Sequence, residues 1–258
     1  MMLSRANERL FLFIYRFTEN HTSFELEQWL LRQSPLLNPI DFGNLTVGRR
    51  NMGTAASPTR GVFAGGFDNS DRVTTIDYMT IASTGTNAVD FGDLIQKGMD
   101  GGAYQVQSQT RGVFAGGDTP GAKVNVIQYV TISTLGNAAD FGDLTQLRGS
   151  VAGASNATTG LVGGGVTPSY LSSIDKITLA SLGNAVVDGD LLAVNASHGA
   201  GASPTRIIFT GGYSPSGPTK VDVIQYKQFA SGADCVDFGN LLNACAVPHP
   251  LTNGHGGL

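Results

Sequence analysis

The sequence predicts an all-β repeat architecture behind a short helical N-terminal segment, on three observations. An Asp-Phe-Gly word recurs at a fixed period, runs of alternating apolar and polar residues recur with it, and no helical period occurs after residue 40. The words are Asp41-Phe42-Gly43-Asn44-Leu45, Asp90-Phe91-Gly92-Asp93-Leu94, Asp140-Phe141-Gly142-Asp143-Leu144, Asp188-Gly189-Asp190-Leu191 and Asp237-Phe238-Gly239-Asn240-Leu241, so the period is 49, 50, 48 and 49 residues. A fixed period of that size means modular units that bury their cores against one another.

Residues 1–40 differ in kind. Arg5 to Phe17 places Leu10, Phe13, Ile14 and Phe17 on one helical face, and Thr22-Ser23-Phe24-Glu25 is a capping box that opens a second helix through Leu31, which Ser34-Pro35 ends. The expected domains are therefore a helical segment over 1–40 and repeats over 41–258, divided as 41–89, 90–139, 140–187, 188–236 and a partial 237–258. The apolar run Leu10 to Tyr15 is too short to span a membrane and lacks a small-residue cleavage site, so neither a signal peptide nor a membrane segment is expected. The helices are expected to pack on the repeats or to serve as an attachment or oligomerisation handle.

Each repeat carries three further landmarks. Ser57-Pro58-Thr59-Arg60-Gly61-Val62-Phe63-Ala64-Gly65-Gly66 is matched by Thr110 to Gly117 and by Ser203 to Gly212, while Thr158 to Gly165 keeps the glycines and loses the arginine. The runs Val73–Ile81, Val124–Ile132, Ser173–Leu179 and Val221–Tyr226 then alternate with period two, the pattern of a half-buried strand. Gly85-Thr86-Asn87-Ala88, Gly136-Asn137-Ala138 and Gly183-Asn184-Ala185 supply turns. One repeat thus holds about four short strands, the content of a β-propeller blade. The glycine pairs, recurring at 65, 116, 164, 211 and 256, are expected where backbones approach closely or take positive φ.

These residues resemble the kelch repeat of kelch-type β-propellers: a strand ending in Gly-Gly, an Ile-x-Tyr strand, a turn, and a strand leading to Arg49, Arg50 or Arg148. The wording Thr-Arg-Gly-Val-Phe-Ala-Gly-Gly followed by Asp-Phe-Gly-Asp-Leu-Thr, and the ending Asn253 to Leu258, are similar to the kelch-like repeats of marine bacteriophage proteins, some virion- or tail-associated. The resemblance covers 41–258 and implies a kelch-like β-propeller of four to five blades of about 49 residues. It departs from ordinary kelch repeats because the single Trp29 lies outside the repeats. Phe42, Phe91, Phe141 and Phe238 are expected to take the packing role of the tryptophan, which the fourth copy loses at Gly189. No catalytic set comes with the resemblance. Identical words at both ends favour a small ring of four or five blades over an incomplete one, whose open edge the N-terminal helices or another copy of the chain would cover.

Composition narrows the function. The net charge of −4 and the scatter of 16 Lys and Arg argue against nucleic acid, which needs a concentrated basic face. Cys235 and Cys245 are expected to be isolated thiols, although a disulfide between them is the alternative. Asp-Phe-Gly is also a kinase word, but the phosphate loop, strand lysine and His-Arg-Asp loop are missing. The acid pairs Asp90/Asp93, Asp140/Asp143 and Asp188/Asp190 would suit Ca²⁺, yet Asn44 and Asn240 replace the second acid in two copies, which favours turn acids. His198, His249 and His255 show no metal-ligand spacing. No catalytic residue, metal or cofactor is expected, and the chain is expected not to be an enzyme.

The candidate binding residues are of two sorts. Arg60, Arg111 and Arg206 share one repeat position and form either a ligand-reading circle or, the stronger reading, ties between blades to the repeated aspartates. Tyr170 and Tyr213 lie in the variable segments 67–72, 118–123, 166–172 and 213–220, and loops varying on a rigid scaffold carry specificity. The function expected is a non-catalytic protein-interaction or structural module, such as a phage virion or host-recognition component. Its partners would be proteins or its own copies; a carbohydrate-binding propeller using the variable loops is the alternative.

Overall fold

A computed structural model of the chain describes residues 41–83, 85–97, 106–215 and 220–248. The chain divides into two compact units, Met1–Asp41 and Phe42–Leu258. The expected helices, Trp29, the glycine pair at Gly256, and His249 and His255 lie outside the described residues. Among the described residues the structure is all-β, without helix.

Four antiparallel four-stranded sheets follow one another along the chain, each with its strands in sequence order. The first holds β1 (Gly53–Ala56), β2 (Arg60–Ala64), β3 (Thr75–Thr80) and β4 (Val89–Asp93); the second holds β5 (Val106–Gln107), β6 (Arg111–Ala115), β7 (Val126–Thr131) and β8 (Ala139–Asp143). In the third, β9 (Ala152–Ser155) and β10 (Thr159–Gly163) precede a small hairpin, β11 (Val166–Thr167) with β12 (Ser169–Tyr170), before β13 (Ser173–Thr178) and β14 (Val186–Asp190). The fourth holds β15 (Gly199–Ala202), β16 (Arg206–Thr210), β17 (Val223–Gln228) and β18 (Val236–Asn240).

The repeat phase differs from the sequence reading: the Asp-Phe-Gly word is the fourth strand of a sheet, not the opening of a unit. A β-bulge lies in this strand of every sheet; in the first, Ile76 pairs with Gly92 and Asp77 with Asp90. Bulges re-aim side chains, and Phe91 and Phe141 turn from the pairing into the next sheet's core, 3% and 2% exposed. The same register pairs Ser173 with Asp190 and Asp175 with Val187, so Asp188, not Gly189, stands in the place of the missing Phe.

Glycine has its own place in the word. A Cβ on Gly92 would lie 2.6 Å from the Gly136 backbone of the following turn, and one on Gly142 would lie 2.5 Å from that of Gly183. This close approach lets Gly136 N donate to Phe91 O at 2.9 Å and Ala138 N to Asp93 O at 2.8 Å, while Asn137 Oδ1 accepts from Asp93 N at 3.0 Å. Asp143 with Asn184 and Ala185 repeats the arrangement, and so does Asp190 with Asp234 and Cys235. Each of the first three sheets therefore clips its last strand to the outer turn of the next.

Three hydrophobic cores lie between consecutive sheets. Val62, Ile76, Phe91 and Leu94 meet Phe114, Val130 and Ile132; Val113, Ile127, Phe141 and Leu144 meet Val162, Ile177 and Leu179; Leu161, Ile174 and Leu191 meet Ile207, Phe209 and Phe229. Four sheets in a closed ring of four would need a fourth core, between the last sheet and the first. Among the described residues no such core is present.

Candidate functional site

The repeated arginines begin the second strand of three sheets. The guanidinium of Arg60 stacks 4.8 Å from the ring centre of Tyr78 and donates to Ile132 O of the next sheet at 3.0 Å. Arg111 does the same with Tyr129 at 5.0 Å and with Leu179 O at 2.8 Å. They tie neighbouring sheets through a backbone carbonyl, with the guanidinium stacked on a tyrosine of its own sheet, and not through the expected aspartates. Such a stack contributes about 0.5–2 kcal/mol. Arg206 stacks on Tyr226 at 4.9 Å, is exposed, and meets no carbonyl of a further sheet among the described residues.

Tyr78, Tyr129 and Tyr226 each stand edge-on to a Phe of the word, Phe91, Phe141 and Phe238, at 5.9 to 6.0 Å. In the third sheet this Arg-Tyr-Phe set becomes Thr159, Lys176 and Asp188. Lys176 Nζ lies 3.6 Å from Asp188 Oδ1, and Lys227, from the fourth sheet, places its Nζ 3.3 Å from Asp188 Oδ2. Lys227 is 2% exposed and also donates to Ser231 O and Ala233 O. An arginine at 159 would add a third cation beside Asp188, so its loss belongs with the exchange of Tyr for Lys.

The polar members of the alternating strands are buried, contrary to the half-buried expectation. Asp77, Gln128, Asp175 and Gln225 are at most 3% exposed. Each accepts the N–H of the residue following the word: Thr46 at 3.1 Å, Ile95 at 2.7 Å, Thr145 at 2.8 Å and Leu192 at 2.7 Å. Where the acceptor is Asp, a buried arginine neutralises it, Arg49 to Asp77 and Arg148 to Asp175, both at 3.1 Å with fully buried side chains. Burial lowers the pKa of both guanidinium groups, and the facing carboxylates oppose that shift. Thr46 and Thr145 add a hydroxyl bond to the same acids. These charges are consumed by the scaffold.

The glycine pairs end the second strands and serve both expected purposes. Gly164 and Gly165 have φ of 61° and 97°, and a Cβ on Gly164 would lie 2.5 Å from Asn195 O. The variable segments follow these pairs, at the opposite ends of the second strands from Arg60, Arg111 and Arg206. Tyr170 lies in β12 and Tyr213 bridges to Ala196; both are half-buried. The two groups of candidate residues therefore do not form one site.

The segments are built locally. In the first, Asp68 accepts the N–H groups of Asp71 and Ser70, which hold its carboxyl below the usual carboxylate range, and Asp71 pairs with Lys97 at 2.6 Å, which does the same for Asp71. Arg50 lies 4.6 Å from the ring centre of Phe67. In the second, Asp118 pairs with Lys123 at 2.5 Å. A shallow hollow near Arg111, lined by Ser108, Thr110, Ala157 and Leu179, gathers no acid-base pair.

No cluster of three His, Cys, Asp or Glu suited to a metal occurs among the described residues. The acid pairs sit on strands, not turns: Asp93 and Asp190 accept hydroxyl bonds from Thr74 and Ser172. Cys235 and Cys245 are free thiols, and burial pushes the Cys235 thiol up to about 12, so it is unreactive at neutral pH. His198 is 5% exposed, neither ring nitrogen has a hydrogen-bond partner, and burial pulls its pKa down to about 4. It takes the place of Val151 in the preceding connector. The buried Asp/Gln row and the Lys-Asp-Lys cluster were missed in sequence, although the paired changes Thr46-Arg49-Asp77 and Thr145-Arg148-Asp175 carried the signal.

No protein-family model matches the chain, and no curated protein matches it.

Proposed function

We propose that this chain is a non-catalytic protein-interaction or structural module, built of kelch-like β-propeller blades, four of them described, that leave the ring open after the fourth. The observation that carries this reading is the use made of the repeated charged and aromatic side chains. Arg60, Arg111, Arg49, Arg148, Asp77, Asp175, Lys227 and Asp188 are bonded within or between sheets. What diverges between repeats is the set of segments after the glycine pairs, carried at one end of the second strands. Such a division, invariant framework and variable loops, suits recognition of a partner. The resemblance of the repeats to marine bacteriophage kelch-like proteins directs the reading to a virion or host-recognition component.

The test is selection of a protein ligand from a displayed library, followed by replacement of segments 118–123 and 166–172 with Gly-Ser linkers. Loss of binding from a chain that still melts cooperatively is expected; a ligand indifferent to every segment would sink the reading. A carbohydrate-binding propeller is the second reading, favoured by half-buried Tyr170 and Tyr213. It expects glycan-array signal that Tyr170→Ala and Tyr213→Ala remove.

A further inference from the structure

The outward face of the fourth sheet is an unfilled copy of the junction that the chain completes three times. Val62, Ile76, Phe91 and Leu94 are at most 4% exposed, as are Val113, Ile127, Phe141 and Leu144. Their counterparts Ile208, Ile224 and Leu241 are only half-buried, and Phe238 is 62% exposed. A Cβ on Gly239 would meet nothing within 4 Å, whereas Gly92 and Gly142 are pressed against the next turn. Among the described residues Arg206 meets no carbonyl such as Arg60 and Arg111 reach. The first sheet holds the other half of the junction. Phe63 and Met79 are half-buried and Ile81 is 45% exposed, while the matching Phe114, Val130 and Ile132 are at most 3% exposed.

We infer that a second copy of this chain docks its first sheet on the fourth sheet of the first copy, head to tail. The first sheet's outer turn is already clipped by the word at 41–45: Ala88 N donates to Asn44 O at 2.8 Å, and Asn87 Oδ1 accepts from Asn44 N at 3.0 Å. That resident word, Asp-Phe-Gly-Asn-Leu, is identical to residues 237–241. One copy's Phe238 word therefore replaces the other's Phe42 word, bond for bond, and Arg206 gains the carbonyl of Ile81. The tail after residue 241 follows the path of the connector after residue 144, since Gly117 N donates to Arg148 O and Gly212 N to Cys245 O, both within 2.9 Å, and the entry segment after residue 45 matches that connector too, Arg50 bridging Phe67 as Gly149 bridges Val166, so entry and tail compete for one path. One must yield. The entry is fixed by the buried Arg49–Asp77 pair, while Leu242 is fully exposed, so the tail gives way. The inference rests on the junction geometry and is independent of the loop reading above.

Light scattering of the whole chain over a concentration series tests it, beside Phe238→Asp and a chain ending at Leu241. Reversible association is expected, at least ~tenfold weaker in Phe238→Asp, the loss of one buried Phe, and tighter in the shortened chain, which lacks the competing tail. Circular dichroism checks that Phe238→Asp stays folded. Association seen only in the shortened chain also supports the exchange. A monomer at every concentration in both chains overturns the inference, as does association that ignores Phe238→Asp or that weakens on shortening.

Discussion

The junction between the first and second sheets and that between the third and fourth share a backbone and differ in chemistry. Both clip a bulged last strand to the next outer turn with bonds of 2.8 to 3.0 Å. In one, Phe91 fills the gap against Val130 under an Arg60–Tyr78 stack; in the other, Asp188 bridges Lys176 and Lys227. The backbone clip is indifferent to what fills the core beside it, while the side chains change only as a set. Loss of Asp188 alone would strand the buried Lys227 ammonium, and loss of Lys227 alone would leave Asp188 only the more exposed Lys176, each at a cost of about 2 kcal/mol.

The largest effect comes from giving the apolar junction the polar residue alone. Phe91→Asp puts an unpaired carboxylate among Val62, Leu94 and Phe114, and the chain is expected not to fold, with cooperative melting lost in circular dichroism; Phe238→Asp, at the same repeat position, is expected to melt as the unmodified single chain does. The buried acids come next. Asp175→Ala leaves Arg148 buried without its carboxylate and should cost about 3–5 kcal/mol in urea unfolding. Adding Arg148→Asn and Thr145→Leu imports the set of the fourth sheet, Gln225 apart, and should recover a large part of that loss.

The connectors sharpen the comparison through pH. His198 holds a pKa of about 4 in the fold against about 6.5 when unfolded. Its folded value is depressed, so the unfolded chain binds the extra proton. Stability from this group is full above pH about 6.5 and is lost as pH falls toward about 4, by up to about 3 kcal/mol. His198→Val, the residue of the preceding connector, should flatten that part of the pH profile. The smallest effect is expected at the charged cluster. Asp188→Phe alone should cost about 2 kcal/mol by stranding Lys227, and the addition of Lys176→Tyr and Lys227→Val should return most of it, a coupling that a double-mutant comparison reads directly.

The strands and the glycine pairs were legible in the sequence because both are local: alternation, turn residues and a fixed period lie within a few residues of each other. The phase was not. Whether Asp-Phe-Gly opens or closes a unit depends on which strand pairs with Val73–Ile81, a contact between segments that no local pattern encodes. Alternation also misled at Asp77 and Gln128, where period two means core and solvent only if one face is wet. Gln128 lies in an internal sheet with both faces covered and Asp77 is covered by residues 46–49, and each survives by accepting a connector's N–H. The Phe missing from the fourth copy of the word, the last strand of the third sheet, was assigned to Gly189 because only the bulge register shows that Asp188 holds its place. How far apart the two sorts of candidate residue lie was not legible for a similar reason: arginines and variable segments sit at opposite ends of the second strands, which spacing along the chain does not reveal.

Among the described residues three junctions are closed and the fourth sheet's outer strand is uncovered. Hydrogen exchange by mass spectrometry, at a concentration where the chain is monomeric, reads it directly. Slow exchange is expected through residues 89–94 and 139–144, which are covered by a following sheet, and much faster exchange through 236–241. Equal protection of all three words in the monomer would mean that the fourth sheet closes on the first, and would contradict it.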